Sequence, residues 1–164
     1  YYPAWRAVEK LYEEGRIRSI GVTSFSDERL QDLFLHIEVK PAVNQIETNP
    51  FYQQAASNAF LAKEGIQHEA WAPFAEGQND IFNNPVLKTI AGKHGKTVAA
   101  VILRWLNQRG IVVIPKSVRK DRKCGLSPDS TRERVPFTTT WIWPRHDLSE
   151  HTGYTNEVQI PAKQ

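Results

Sequence analysis

The stretch of sequence that decides the fold class is Ile111-Val112-Val113-Ile114-Pro115-Lys116-Ser117-Val118-Arg119-Lys120-Asp121-Arg122. Its β-branched apolar run predicts a fully buried strand, which ends at Pro115 because proline cannot donate a hydrogen bond to a neighbouring strand. The polar residues that follow then project from the carboxyl end of the strand. In α/β proteins this is the end at which ligands bind.

Two interpretations of the segment after Pro115 stay open at this point. The segment offers three cations, which are Lys116, Arg119 and Arg122. With Ser117 and the backbone N–H groups, these cations suit a phosphate better than a neutral ligand. The alternative is a solvated basic loop after a core strand, because Lys and Arg side chains usually lie on protein surfaces. The rest of the chain has to decide between them.

Length and composition are those of an ordinary globular protein. The 164 residues predict one domain or one domain with a tail, and 40% apolar and 24% charged residues are close to the globular average. The net charge of +3 favours anionic ligands slightly and is too small to predict nucleic-acid binding. No apolar run approaches the length of a membrane span. The single cysteine, Cys124, excludes an internal disulfide and a multi-cysteine zinc site and favours a cytoplasmic location.

Upstream of the quoted stretch, helical and strand-like patterns alternate. Helices are predicted at 4–12, 27–37 and 53–64, from Pro85 to near Gly95, and from Thr97 to Gly110. Strands are predicted at 16–22, 42–47, 66–71 and 111–114. This alternation predicts an α/β fold with a parallel sheet whose strand-end loops converge at one edge. The converging loops are 23–25, 47–52, 71–77 and 116–122.

Within this pattern, the strand at 42–47 carries an unusual number of polar residues. They are Asn44, Gln45 and Glu47. A strand inside a parallel sheet is normally apolar throughout, so these side chains need partners or a ligand. In the helix that follows, we expect Ala56 to face inward together with Phe60 and Leu61.

Four strands are half of an eight-stranded (β/α)8 barrel, whose usual length is about 250 residues. The chain contains no Met and opens with Tyr1-Tyr2-Pro3. Initiator removal usually exposes a small residue, not Tyr. We therefore expect the chain to be a piece of a longer protein.

Four segments of the chain resemble the aldo-keto reductase family. Residues 14–25 (EGRIRSIGVTSF) are similar to its fifth-strand segment, and 43–47 with Asn49-Pro50 to its sixth. Residues 69–74 (EAWAPF) are similar to the seventh strand and 114–118 (IPKSV) to the eighth. The motifs occur in family order over residues 1–122 and are most similar to bacterial reductases related to 2,5-diketo-gluconate and methylglyoxal reductases. The resemblance implies the C-terminal half of a (β/α)8 TIM barrel.

The resemblance also implies a cofactor and its binding residues. Members of the family transfer hydride between NADPH and a small-molecule carbonyl. Thr23 and Ser24 stand where the family usually has Ser-Asn, and with Gln45 they would hold the nicotinamide carboxamide. Trp71 stands where an aromatic ring usually stacks on the nicotinamide.

For the rest of the cofactor, the resemblance assigns two groups of residues. Ala72, Phe74 and Ala75 would line the path of the pyrophosphate. The adenosine 2′-phosphate would be bound at the eighth-strand segment by Lys116, Ser117, Val118 and Arg122. Charged contacts of this kind distinguish NADP(H) from NAD(H).

Two departures from the family bear on activity. The family's catalytic Asp, Tyr, Lys and His lie on its first four strands, and no segment here matches them; Tyr1 and Tyr2 match no catalytic position. We therefore assign no catalytic residue and expect the chain alone to be inactive. After Arg122 the resemblance ends, so we expect 1–122 to be a partial barrel and 123–164 an atypical tail. The tail is either translated out of frame, and disordered, or a divergent specificity loop.

Three functions remain in competition. The first is an NADPH-dependent reductase represented by half of its barrel. The second is a non-catalytic half-barrel that binds NADP(H) or a partner half, and whose unpaired strand edges favour association or aggregation; the full barrel would be a monomer. The third is a sugar-phosphate barrel enzyme, which fits the quoted stretch but not the other three loops. We predict no metal, nucleic-acid or membrane partner for any of them.

Overall fold

A computed structural model describes residues 1–118 of the chain. Within this range four strands form one sheet in the order β1-β2-β3-β4, and every neighbouring pair is parallel. The strands are β1 (Gly21–Thr23), β2 (Val43–Glu47), β3 (Gln67–Trp71) and β4 (Val112–Val113). The helices are α1 (Tyr2–Glu13), α2 (Asp27–Phe34), α3 (Ala55–Glu64), α4 (Pro85–Lys93) and α5 (Val98–Gln108). The predicted α/β alternation and parallel sheet are confirmed.

Local capping signals explain where three of these helices begin. The side chain of Ser26 accepts a hydrogen bond from the N–H of Arg29 at 3.3 Å and so caps α2. Asn84 caps α4 by accepting from two backbone N–H groups, and Thr97 caps α5. None of the helices within residues 1–118 has the length and apolar character needed to cross a bilayer.

The strand register divides the sheet into two faces. Ile46 and Ala70 lie on the face that packs against helices, where Ile46 contacts Leu30 and Leu61, and Ala70 contacts residues of α4 and α5. On the opposite face, Thr23, Gln45 and Glu69 form one row across β1, β2 and β3. Burial alternates along β2 and β3 in step with this division. One face therefore carries the core, and the other is open within the described part of the chain.

The predicted strand at 16–22 is wrong in its first half, because only Gly21–Thr23 pair with β2. The pairing extends back only to the carbonyl of Ile20, which accepts from the N–H of Ala42 at 2.7 Å. The next residue of the neighbour is Pro41, which has no N–H to donate. Residues 16–19 therefore form a loop.

Two predictions of burial are also wrong. Among residues 111–118 of the quoted stretch only Ile111 is buried, whereas Val112 is 41% and Ile114 is 55% exposed. The reason is that β4 pairs only with β3 and forms an edge of the described sheet, with Val112 on its open face. Ala56 is exposed on α3. Exposing a side chain as small as that of Ala costs little free energy, so the spacing of apolar residues was weak evidence for burial at this position.

A buried polar network joins β3 to α3. The His68 side chain is 2% exposed and contacts Thr48 Oγ1 through Nε2 at 2.8 Å and Asn58 Oδ1 through Nδ1 at 2.9 Å. Because Asn58 donates its Nδ2 to the backbone carbonyl of Arg109, its oxygen has to accept from His68. His68 therefore carries a proton on Nδ1. Burial, and to a smaller extent the charge of Arg109, lower the pKa of His68 to about 4.

This lowered pKa makes the stability of the fold depend on pH. In the unfolded chain His68 takes up a proton below about pH 6.5, whereas the folded chain resists protonation down to about pH 4. The stabilising contribution is complete above pH 6.5 and is lost progressively as the pH falls to 4. We expect a loss of about 3 kcal/mol over this window. Replacing His68 by Gln removes the titration. In urea unfolding, the difference in the free energy of unfolding between the wild type and this variant should therefore shrink from pH 7.5 to pH 4. Parallel pH profiles for the two proteins would contradict the assignment.

Gly21 allows the close approach of β1 and β2. A Cβ at this position would lie 2.9 Å from the carbonyl oxygen of Val43 and 3.3 Å from its Cβ. We expect Gly21→Ala to lower the free energy of unfolding by about 1–3 kcal/mol, as overpacking usually does. The matched control is Gly92→Ala in α4, where nothing lies within 4 Å of the new Cβ. The control should raise stability by up to about 1 kcal/mol, because Ala is the better helix former. Equal urea midpoints for the two variants would contradict the steric argument.

Candidate functional site

The loops that follow the strands lie at one edge of the sheet because all strand pairs are parallel. The sequence-predicted site residues within the described range lie at the ends of β1 and β3, on β2, and in the loops after β1, β3 and β4. Thr23, Ser24, Gln45, Trp71, Ala72, Phe74, Ala75, Lys116, Ser117 and Val118 belong to this set. Arg122 lies outside the described residues, as does the predicted tail at 123–164.

Hydrogen bonds link Thr23, Gln45 and Glu69 across the open face. Thr23 donates its hydroxyl to the backbone carbonyl of Gln45 at 3.2 Å. The Gln45 side chain donates its Nε2 to the Glu69 carboxylate at 2.5 Å. The hydroxyl proton of Thr23 is thus used within the protein, and its oxygen remains able to accept.

Ser24 begins the loop after β1 in a left-handed backbone conformation, with φ at 57°. Its N–H donates to the same Gln45 carbonyl at 2.8 Å, which holds this conformation in place. A non-glycine residue in this region costs on the order of 1 kcal/mol, and such residues concentrate at ligand sites. The Ser24 side chain is exposed, and its hydroxyl forms no hydrogen bond with residues 1–118.

Trp71 ends β3 on the open face and borders a cleft of about 290 Å³. The ring is 37% exposed, an unusual position for so large an apolar side chain. The cleft is lined by Glu47, Asn49, Phe51, Tyr52, Trp71, Ala75, Glu76, Gln78 and Asn79. The loop that forms its far wall is strained, since Ala72 and Ala75 both have positive φ. Phe74 is not among the residues that line the cleft, and its ring lies beside that of Phe82, with centroids 5.7 Å apart.

Asn49 holds the loop after β2 in shape. Its side-chain oxygen accepts from the N–H of Phe51 at 3.0 Å and of Tyr52 at 3.1 Å. Its side-chain nitrogen donates to Glu47 Oε1 at 3.2 Å and approaches the carbonyl of Ala72 at 3.5 Å. The Asn49 side chain is buried, and its hydrogen bonds are partly shielded from water. Asn49 therefore connects two of the loops that form the cleft.

Charge is unevenly distributed along this edge. Glu47 and Glu76 line the cleft, whereas Lys116 stands exposed beyond the end of β4. Ser117 and Val118 follow Lys116, and Val118 is 87% exposed. An anionic group would thus be repelled at the cleft and attracted at the β4 end. Residues 1–118 contain no group of three His, Cys, Asp or Glu side chains placed to hold a metal ion.

The site contains three residues that were assigned no binding role from the sequence. Asn49 organises a loop, Glu69 holds an amide, and Glu47 lines the cleft. One signal pointed to Glu47, which ends the polar run of β2. Glu69 is likewise a charged residue within a predicted strand, but it stands in the middle of that strand and not at its end. Its partner could not be known before the register of β2 and β3.

The comparisons with known proteins agree with this architecture. The model of the Aldo/keto reductase family matches residues 1–123. The chain therefore belongs to the aldo-keto reductase family, as the four motifs predicted.

Individual relatives are similar over the same part of the chain. The glyoxal reductase of Bacillus subtilis is 48% identical over 122 residues, which are 74% of this chain and 44% of that protein. The methylglyoxal reductase DkgA of Escherichia coli is 43% identical over 122 residues, again 74% of this chain and 44% of that protein. The structure of AKR2E5, an aldo-keto reductase of the silkworm Bombyx mori complexed with NADPH, matches with a TM-score of 0.67 and 35% identity, covering 74% of this chain and 40% of its own. The chain spans less than half the length of each of these proteins.

We expect Asn49→Ala to release the loop after β2. The N–H of Phe51 loses its acceptor, whereas the N–H of Tyr52 keeps the backbone carbonyl of residue 49 at 3.0 Å, so the free energy of unfolding should fall by about 1–3 kcal/mol. Hydrogen exchange measured by NMR should become faster at the amide of Phe51. The matched control is Asn83→Ala, whose amide donates only to exposed Asp80 at 2.7 Å. This control should change stability by less than about 0.5 kcal/mol. Unchanged exchange at Phe51 would show that Asn49 does not hold the loop.

Proposed function

We propose that this chain supplies the NADP(H)-binding strands of an aldo-keto reductase, corresponding to strands five to eight of a (β/α)8 barrel. The observation that carries the proposal is the row of Thr23, Gln45 and Glu69 beside the exposed ring of Trp71, at the sheet edge that also carries Lys116. An NADPH complex within the family supports the choice of cofactor. A cytoplasmic location stays a prediction.

The side chains at the β1–β3 end fit a nicotinamide carboxamide. Such a group has one carbonyl acceptor and two N–H donors. Ser24 offers a hydroxyl with no partner among residues 1–118, and the oxygen of the Gln45 amide is likewise without one there. The Ser24 hydroxyl can donate to the carbonyl of a carboxamide, and the Gln45 oxygen can accept from its NH2 group. The ring of Trp71, held at the end of β3, provides a flat apolar surface of the kind on which a nicotinamide stacks.

The other end of the cofactor would be bound beyond β4. Lys116 follows Pro115 at the same sheet edge and is exposed. A cation at this position suits the 2′-phosphate that distinguishes NADP(H) from NAD(H). The carboxylates of Glu47 and Glu76 keep phosphate groups out of the cleft, so the phosphates would pass outside it.

The chemistry follows from this division of roles. NADPH, when bound, supplies a hydride to the carbonyl carbon of the substrate. Thr23, Ser24, Gln45 and Trp71 hold and orient the ring that carries it, which sets the face presented to the substrate. The names of the relatives point to small oxoaldehydes such as glyoxal and methylglyoxal as the substrate class. No catalytic motif of the family is matched in this chain, so we propose that the chain alone binds the cofactor without turning over substrate.

NADPH titration followed by tryptophan fluorescence tests the proposal. We expect quenching that is strongly reduced in Trp71→Phe, because Trp71 borders the cleft, whereas Trp5 and Trp105, the other tryptophans within residues 1–118, do not. Lys116→Ala should weaken NADPH binding about tenfold, the loss of one charge-assisted hydrogen bond. The affinity for NADH should not change in this variant, since NADH lacks the 2′-phosphate.

The control for this experiment is Lys88→Ala, which removes an exposed lysine of α4 and should leave both affinities unchanged. An equal effect of Lys116→Ala on NADPH and NADH would remove the assignment of the phosphate site. Absence of binding to either cofactor would remove the proposed function itself. NADPH oxidation with methylglyoxal above background would show that the chain is catalytic, contrary to our expectation.

A further inference from the structure

Glu69 is a charged residue in the middle of β3 that neither the sequence motifs nor the family match assigns to a function. Its carboxylate lies on the open face and accepts the Nε2 hydrogen bond of Gln45 at 2.5 Å. The two residues face each other directly in the β2–β3 register. Glu69 takes part in neither of the salt bridges formed within residues 1–118, which join Arg16 to Glu14 and Lys40 to Glu64. The amide of Gln45 is therefore its main partner in this region.

A carboxylate opposite an amide determines which way the amide points. An ionised carboxylate only accepts hydrogen bonds, so the NH2 group of Gln45 has to face Glu69 and the carbonyl oxygen has to face away. Without Glu69, rotation of the amide by 180° would exchange the two ends at little cost. Charge-assisted hydrogen bonds are about twice as strong as neutral ones, so the carboxylate holds one orientation firmly.

The geometry points to Glu69 as a positioning residue, which fixes the Gln45 amide so that its oxygen is presented to the amide N–H groups of a bound nicotinamide. This inference rests on the proposed function, because it concerns the same cofactor site. It assigns Glu69 no contact with the cofactor and no part in the chemical step. Its effect is confined to the nicotinamide end of the ligand, since the phosphate end lies beyond β4.

A merely structural role for Glu69 predicts something different. A contact that only joins β2 to β3 would affect every ligand alike, through the stability or shape of the sheet. A positioning role affects only ligands that carry a nicotinamide. Adenosine 2′,5′-bisphosphate has the 2′-phosphate without the nicotinamide and therefore separates the two roles.

The experiment measures dissociation constants of NADPH and of adenosine 2′,5′-bisphosphate by calorimetry, using the full chain. Glu69→Leu removes the acceptor, and we expect NADPH to bind about tenfold more weakly while the bisphosphate binds as before. Glu69→Gln keeps an oxygen that can accept from Gln45 and should recover most of the NADPH affinity. Glu64→Gln, at a half-buried carboxylate paired with Lys40, is the matched control and should change neither constant.

A double-mutant cycle isolates the coupling between the two residues. In a Gln45→Ala background, Glu69→Leu should have no further effect on NADPH binding, because the amide that it orients is gone. NMR of the Gln45 side-chain NH2 group, without ligand, gives a second readout. The difference in chemical shift between its two protons should be large in the wild type, where one proton is bonded to Glu69, and smaller in Glu69→Leu.

The outcomes are distinguishable. Weaker NADPH binding with unchanged bisphosphate binding, absent in the Gln45→Ala background, supports the inference. Unchanged NADPH binding in Glu69→Leu, or an equal loss for both ligands, overturns it and leaves the proposed function standing. If the wild-type chain binds the bisphosphate but not NADPH, the nicotinamide site and the role of Glu69 both fail. If it binds neither, the proposed function fails, and the inference fails with it.

Discussion

The parallel register of β1, β2 and β3 is the constraint on which the rest of this structure depends. It sets Thr23, Gln45 and Glu69 in one row on the open face. Because side chains alternate between faces with a period of two residues, a slip of one residue would send this row into the helical core. The same slip would bring Ile46 and Ala70 to the open side. The apolar positions that build the core thus also decide which polar residues are presented at the site.

Polar residues on the two faces of the sheet serve different purposes. On the helix side, His68 is satisfied by Thr48 and Asn58, and a neutral imidazole is required there. On the open side, the amide of Gln45 has one end bonded to Glu69 and the other without a partner within residues 1–118. A buried network whose polar groups have hydrogen-bond partners stabilises a fold. A partly exposed group that keeps one polar atom without a partner is available to a ligand. This difference explains why neighbouring positions of β3, 68 and 69, are assigned such different roles.

Much of the fold was predictable because its signals are local. Ser26 and Thr97 are capping residues that act within three positions of themselves, and the strand periodicity of residues 43–47 is read directly. The errors have a non-local cause. The exposure of Val112 depends on β4 lying at the edge of the described sheet, which no property of the stretch itself reveals. The pairing of Glu69 with Gln45 likewise depends on a register that joins residues far apart in sequence. The predictions for 119–164 lie outside the described residues.

The distribution of charge divides the proposed cofactor site into two parts with separate functions. Lys116 stands at the β4 end, while Glu47 and Glu76 stand at the cleft near Trp71. A cation that binds a phosphate contributes affinity, but it acts far from the ring that carries the hydride. In the proposed site, the amide near β2 and the aromatic ring at the end of β3 would orient the nicotinamide. Binding energy from the phosphate end of the cofactor can then be used to hold the nicotinamide end in place. The orientation of the ring is thereby maintained without tight contacts at the reacting atoms. A carboxylate that fixes the amide, as we propose for Glu69, would make that orientation more precise.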